Sequence, residues 1–171
     1  EFIDEDGDTY GVDTDCDDRD ASRHPNAVEG VADGIDQDCD GLDLCYVDLD
    51  NDGWGGSSTA PGDLTCSGAG FSSDSSDCND NDASVHPGAA EITADGVDSN
   101  CSGQERCYVD SDLDGEGSAS TTGSNTLSCL ASGVSPTSTD CDDSNNTTYT
   151  GAPEQCDGVD NDCDGDIDDN V

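Results

Sequence analysis

Residues 17–29 read DDRDASRHPNAVE, and the stretch returns as NDNDASVHPGAAE over 79–91 and as DDSNNTTYTGAPE over 142–154. Oxygen-bearing residues fall on alternate positions, and each copy ends on a glutamate. Calcium takes six to eight oxygen ligands, and a twelve-residue calcium loop supplies them from positions 1, 3, 5, 7 (a backbone carbonyl), 9 and 12. Counting from Asp18 gives Asp18, Asp20, Ser22, the His24 carbonyl and a closing Glu29. The second copy gives Asp80, Asp82, Ser84, His86 and Glu91, and the third Asp143, Asn145, Thr147, Tyr149 and Glu154. The glycine usual at position 6 is replaced by Arg23, Val85 and Thr148, so the turn must be made differently.

Working outward, a second loop follows in each copy. It reads Asp36, Asp38, Asp40, Gly41 with Asp43 nearby, and returns as Asp160, Asp162, Asp164, Gly165 with Asp168. The middle copy carries Asp98, Asn100 and Ser102 with Glu105 nearby, and fewer negative ligands predict weaker binding there. A third loop precedes each stretch. Its first copy is Asp4, Asp6, Asp8, Tyr10, with Asp15 at position 12. The later copies read Asp48, Asp50, Asp52, Trp54 and Asp110, Asp112, Asp114, Glu116, where an insert must bring back Asp77 and Asp140 as closing ligands.

The period behind these loops is 62 to 63 residues, shown by Cys16, Cys78 and Cys141 and by Cys39, Cys101 and Cys163. We divide the chain into repeats at 1–44, 45–106 and 107–171, the last two carrying a Ser/Thr/Gly-rich insert. Short strands at 45–47 and 64–66 predict a hairpin in the insert, and 27–34 and 89–96 predict single helical turns. The expected fold class is therefore small and irregular: mostly coil with short β-hairpins and single helical turns, in three tandem repeats held by calcium ions and disulfides.

Composition agrees. With 43 acids against three arginines the formal charge is −40, and only 23 residues are Leu, Ile, Val or Phe, too few for a conventional core. Thirty-six of the acids are Asp, whereas disordered acidic tails favour Glu, and eleven cysteines point to an oxidising compartment. The expected location is extracellular, secreted or at the cell surface. The chain opens on Glu1 and reads as a mature or excised piece. No apolar run is long enough to span a bilayer, and nucleic acid would be repelled.

DCDDRDASRHPNAVE followed by DGIDQDCDG, and DCDDSNNTTYTGAPEQCDGVDNDCDG, resemble the metal-binding repeat of MopE-like bacterial surface and secreted proteins. The resemblance implies an extracellular, disulfide-bonded, calcium-loaded module. The DxDxDG series also looks like thrombospondin type 3 repeats, in which metal replaces the hydrophobic core. The first two copies have Ala32 and Ala94 where the third has Cys156.

Pairing by repeat gives Cys16–Cys39, Cys78–Cys101, Cys141–Cys163, Cys45–Cys66 and Cys107–Cys129, with Cys156 odd; Cys156 with Cys129 is the alternative. No catalytic constellation is visible, since His24 and His86 occupy equivalent positions in different copies. The function expected is a non-enzymatic calcium-binding structural protein of a stalk, matrix or filament, with calcium ions, further copies or other surface proteins as partners. The alternative is a secreted protein that sequesters calcium or copper.

Overall fold

The computed structural model describes residues 3–169. Two compact units divide the chain, Glu1–Gly88 and Ala89–Val171. Each contains one three-stranded antiparallel sheet. In the first unit β1 (Asp43–Val47) lies between β2 (Thr59–Gly62) and β3 (Phe71–Ser72). In the second, β4 (Glu105–Val109) lies between β5 (Thr121–Ser124) and β6 (Val134–Ser135). The register is the same in both: Cys45 opposes Ala60 and Tyr46 opposes Ser72, as Cys107 opposes Thr122 and Tyr108 opposes Ser135. Apart from a bridge residue at Val31, the other described residues are turn, bend or coil, and no helix forms among them.

Two local expectations change. The strand pairing with β1 is Thr59–Gly62, and 64–66 is a turn. Asp63 starts that turn by accepting the Thr65 N–H at 2.8 Å, while the Cys66 N–H bonds the Asp63 carbonyl. Cys66 then returns to Cys45 as a disulfide rather than as a ladder residue. A Cβ on Gly62 would meet the Cys45 sulfur at 2.8 Å, so the strand that covers this bond needs glycine there. The single helical turns are also absent. Ala32, Gly34, Ala94 and Gly96 have φ of 54°, 75°, 63° and 78°, a left-handed backbone that cannot continue a right-handed turn. Val31 instead bridges Leu44 beside β1.

Six apolar residues are buried among those described, four of them cysteines, against eleven polar or charged ones that include Asp15, Asp43, Asp48, Glu105 and Asp110. Val28, Leu113 and Leu130 lie out in solvent. The interior is thus oxygen-rich, the reverse of an oil-drop core. Ten cysteines are oxidised, with Cys16–Cys39, Cys45–Cys66, Cys107–Cys129 and Cys141–Cys163 closing loops of 21 to 23 residues. Cys156 is the free thiol and is exposed. Each such loop contributes on the order of 3 kcal/mol, largely by restricting the unfolded chain. The two insert bridges stand beneath the two sheets, where Cys45 and Cys107 are completely buried.

Candidate metal centres

Two loop types share one backbone. We call those opening at Asp4, Asp48 and Asp110 the lead loops, and those opening at Asp36, Asp98 and Asp160 the tail loops. In the lead loops the fourth and sixth residues are left-handed: Gly7 and Thr9 (φ 85° and 85°), Asn51 and Gly53 (62° and 100°), Leu113 and Gly115 (70° and 103°). The tail loops repeat this at Cys39 and Gly41 (62° and 88°), Cys101 and Gly103 (55° and 78°), Cys163 and Gly165 (56° and 101°). Two left-handed residues curl the chain so tightly that alternate side chains turn inward.

The carboxylates of the lead loops divide their two oxygens between backbone and interior. Asp6 Oδ1 accepts the Asp8 N–H (3.1 Å), Asp8 Oδ1 the Tyr10 N–H (2.7 Å) and Asp15 Oδ1 the Asp17 N–H (2.8 Å). The Oδ2 atoms of the same three residues are buried with no hydrogen-bond partner. In the second loop Asp50, Asp52 and Asp77 bond the N–H groups of Asp52, Trp54 and Asn79 and leave Oδ2 in the same condition. In the third, Asp112, Asp114 and Asp140 do so with Asp114, Glu116 and Asp142. The opening Asp4, Asp48 and Asp110 accept from the turn they enclose, as when Asp4 takes Gly7 and Thr9 at 2.7 and 3.2 Å. Asp4, Asp6 and Asp8 bring carboxylate oxygens within 4.8 Å of one another, as do Asp48, Asp50 and Asp52.

The inserts therefore return Asp77 and Asp140 to the loops. Asp77 lies in the field of Asp52 and Asp48, and Asp140 in that of Asp114 and Asp112. Burial first, and these like charges second, raise the carboxyls of Asp6, Asp50, Asp77, Asp114 and Asp140 above the usual range, against the pull of their backbone hydrogen bonds. Buried carboxylate oxygens without a donor are costly, and a cation among them removes the cost. At the seventh position of the third loop the Glu116 carboxylate is taken by the Thr139 hydroxyl (2.7 Å) and the Thr150 N–H (3.1 Å).

The tail loops recruit their glutamate from upstream. Glu29 Oε1 accepts the N–H groups of Gln37 and Asp38, both at 2.7 Å, leaving Oε2 buried and unpartnered. Glu29 stands with Asp36 and Asp38, and a cleft of about 200 Å³ adds Asp40 and Asp43 to its lining. Asp43 is 1% exposed; its Oδ2 accepts the Gly34 N–H at 2.8 Å and its Oδ1 is orphaned. The third tail loop matches. Glu154 Oε1 takes Asn161 and Asp162 N–H at 2.6 and 2.9 Å, with Oε2 unpartnered.

This regroups the stretch from Asp18 to Glu29. We expected Glu29 and Glu154 to close loops opened at Asp18 and Asp143; the structure assigns both to the tail loops. Asp18, Asp80 and Asp143 instead brace the lead loops from outside, accepting the N–H of Glu5 (3.3 Å), Leu49 (2.8 Å) and Ser111 (2.6 Å). Asp20 and Asp82 accept both the N–H and the hydroxyl of Ser22 and Ser84, and Asn145 those of Thr147. Those hydroxyls hold Asp20 and Asp82 below the usual carboxylate range. The His24 and Tyr149 carbonyls accept the N–H of Ala27 and Ala152. Arg23, Val85 and Thr148 are not left-handed, so the stretch does not curl as a cation loop.

One residue escaped the sequence reading. Asp168 was the candidate, but its Oδ1 accepts the N–H of Asp157 and Gly158 at 3.0 and 2.9 Å. Asp169 is the carboxylate that faces Asp164, Asp162 and Glu154; burial and those neighbours raise it above the usual range. In the first copy Asp43 performs both tasks, and the doubled Asp168–Asp169 was the available signal.

His24 lies flat on Tyr10, ring centroids 4.9 Å apart, with Nδ1 3.1 Å from the Pro25 carbonyl. His86 makes the same contact with Pro87 at 3.2 Å. Oxidised sulfurs beside Asp15 are poor ligands, so the donors that converge are oxygens.

The model of the family Cu-binding MopE, described as "Putative metal-binding motif", matches residues 15–43, 77–105 and 140–169, together just over half of the chain. Each match runs from the closing aspartate of a lead loop through the following tail loop. No curated protein and no solved structure matches. Among the described residues no helix is long and apolar enough to cross a membrane.

Proposed function

The chain belongs to the Cu-binding MopE family of metal-binding motifs, and on that premise we propose an extracellular, non-enzymatic structural protein whose acid-rich loops are stapled by calcium ions. The observation that carries this reading is the threefold arrangement in the lead loops. At positions 3, 5 and 12 each carboxylate fixes the backbone with one oxygen and buries the other without a donor. A hard cation is the partner such a set fits, because all converging donors are oxygens on a curled loop.

Copper, which the family name carries, is the rival metal. Copper and zinc favour imidazole and thiolate. His24 and His86 have ring nitrogens turned toward proline carbonyls, and ten cysteines are oxidised. Calcium supplies what the apolar residues do not. At about 1 mM calcium, sites of roughly 10–100 μM each add about 1.4–2.7 kcal/mol to folding. Several together replace a core; one does not.

A body of three stapled repeats suits a stalk, matrix or filament. Against a formal charge of −40, further copies approach only if cations lie between them, and the exposed Cys156 offers a covalent link. Native mass spectrometry with elemental analysis of the purified protein tests the metal: several calcium ions per chain are expected, and retained copper or zinc in their place would overturn it. Light scattering with and without calcium tests assembly, which an unchanged monomer would exclude.

A further inference from the structure

The family match treats the three copies alike, and the middle one departs from the others. The second tail loop keeps the backbone of a cation loop, with Cys101 and Gly103 left-handed at φ 55° and 78°. Asp98 still accepts the N–H of Ser102 (2.9 Å) and Gly103 (2.7 Å). The inward side chains differ. Where the first and third copies have Asp38 and Asp40, or Asp162 and Asp164, this loop has Asn100 and Ser102. Asn100 Oδ1 and Ser102 Oγ accept the Ser102 and Gln104 N–H groups at 3.0 and 3.3 Å, so the turn is built without the charge.

The glutamate shows the same change. Glu29 and Glu154 receive two N–H groups on one oxygen and keep the other buried and unpartnered. Glu91 spreads the equivalent pair over both oxygens, Ser99 N–H to Oε1 and Asn100 N–H to Oε2, each at 3.2 Å. Its carboxylate is satisfied by the chain. The cleft shared by Glu91, Asn100, Ser102, Gln104 and Glu105 is also lined by Arg106, a cation of the chain's own, whose Nε is fixed on the Thr121 hydroxyl at 3.0 Å. One oxygen argues the other way. Glu105, 1% exposed, gives Oε1 to the Ala94 N–H at 3.0 Å and buries Oε2 without a donor. That is one such oxygen, against two in each outer tail loop (Glu29 and Asp43, Glu154 and Asp169) and three in each lead loop, and it stands beside Asn100 and Ser102 where the outer loops place carboxylates.

We infer that the second tail loop takes no metal ion and is held by the chain's own hydrogen bonds, so that five of the six loops are loaded: three lead loops and the outer two tail loops. The lead loops then form a class of site whose first three carboxylates lie outside the matched motif, since Asp4–Asp8, Asp48–Asp52 and Asp110–Asp114 precede residues 15, 77 and 140. This inference rests on the calcium reading above.

Native mass spectrometry of the full chain in calcium decides it. The expected count is five ions, rising to six in the Asn100→Asp, Ser102→Asp double variant, which restores the ligands of the first copy. Asp98→Asn is the second variant and is expected to leave the count at five. Six ions in the unaltered protein, a fall by one on Asp98→Asn, or no gain in the folded double variant would overturn the inference while leaving the calcium reading intact. A count of zero would overturn both.

Discussion

The lead loops and the connecting stretches that follow them carry the same alternation of acids and meet opposite fates. Asp4, Asp6 and Asp8 stand two apart, as do Asp18, Asp20 and Ser22. In the lead loop, left-handed residues at the fourth and sixth positions bring these three carboxylates together and leave Asp6 and Asp8, with the closing Asp15, each holding a stranded second oxygen. In the connector the sixth residue is not left-handed, so Asp18 braces a neighbouring loop and Asp20 caps Ser22. The electrostatics divide along the same line: burial raises Asp6 and Asp50, whereas the serine hydroxyls lower Asp20 and Asp82. Spacing of acids therefore does not define a cation loop; the backbone that aims them does.

Chelation should break the comparison most visibly. Losing several ions worth about 1.4–2.7 kcal/mol each removes most of an ordinary domain's margin of roughly 5–15 kcal/mol. Circular dichroism and hydrogen exchange after EDTA are expected to show both loop types opened while the disulfides persist, and an unchanged spectrum would refute the structural role of the metal.

Single substitutions sharpen it. Asp77→Asn is expected to cost one ion and about 2 kcal/mol of calcium-loaded stability. Asp82→Asn, on the connector, should leave the ion count unchanged and cost no more than about 1 kcal/mol, the net worth of its hydrogen bonds. Equal losses in thermal denaturation would erase the distinction drawn here.

Acid acts on the two populations with opposite sign. For the raised lead-loop acids of metal-free protein, the folded chain holds protons that the unfolded chain releases near pH 4. Stability from these groups therefore falls as pH rises from that value through the folded-state range. Asp20 and Asp82, lowered by their serines, contribute stability above about pH 4 that is lost as pH falls through their folded values. Loaded protein must ionise its ligands, so acid expels the metal. Melting curves from pH 3 to 7 should slope in opposite directions with and without calcium, and parallel slopes would count against carboxylate ligation.

The smallest effect concerns the curl itself. Leu113 holds φ at 70° in the third lead loop, where a Cβ is strained. Leu113→Gly should raise loaded stability by up to about 1 kcal/mol. Arg23→Gly, on the connector where φ is not positive, should lower it by about 0.5–1 kcal/mol. Gains or losses at both sites would show that the backbone difference does not matter.

Much was legible in the chain itself. The 62-residue period, the DxDxDG spacing and the low apolar content pointed to three irregular, disulfide-held repeats, because loop curling and core size follow from local residue types. Cys16–Cys39, Cys45–Cys66, Cys107–Cys129 and Cys141–Cys163 followed from the period. Which carboxylate closes which loop was decided only in three dimensions. Glu29 follows Asp18 by eleven positions yet completes the loop after it, and Asp77 reaches Asp48 across a whole sheet-forming insert. Pairing over such distances depends on strand register and a return by disulfide, which no local spacing encodes. The orphaned oxygens belong to that level too, because an atom lacks a partner only when every neighbour has been placed.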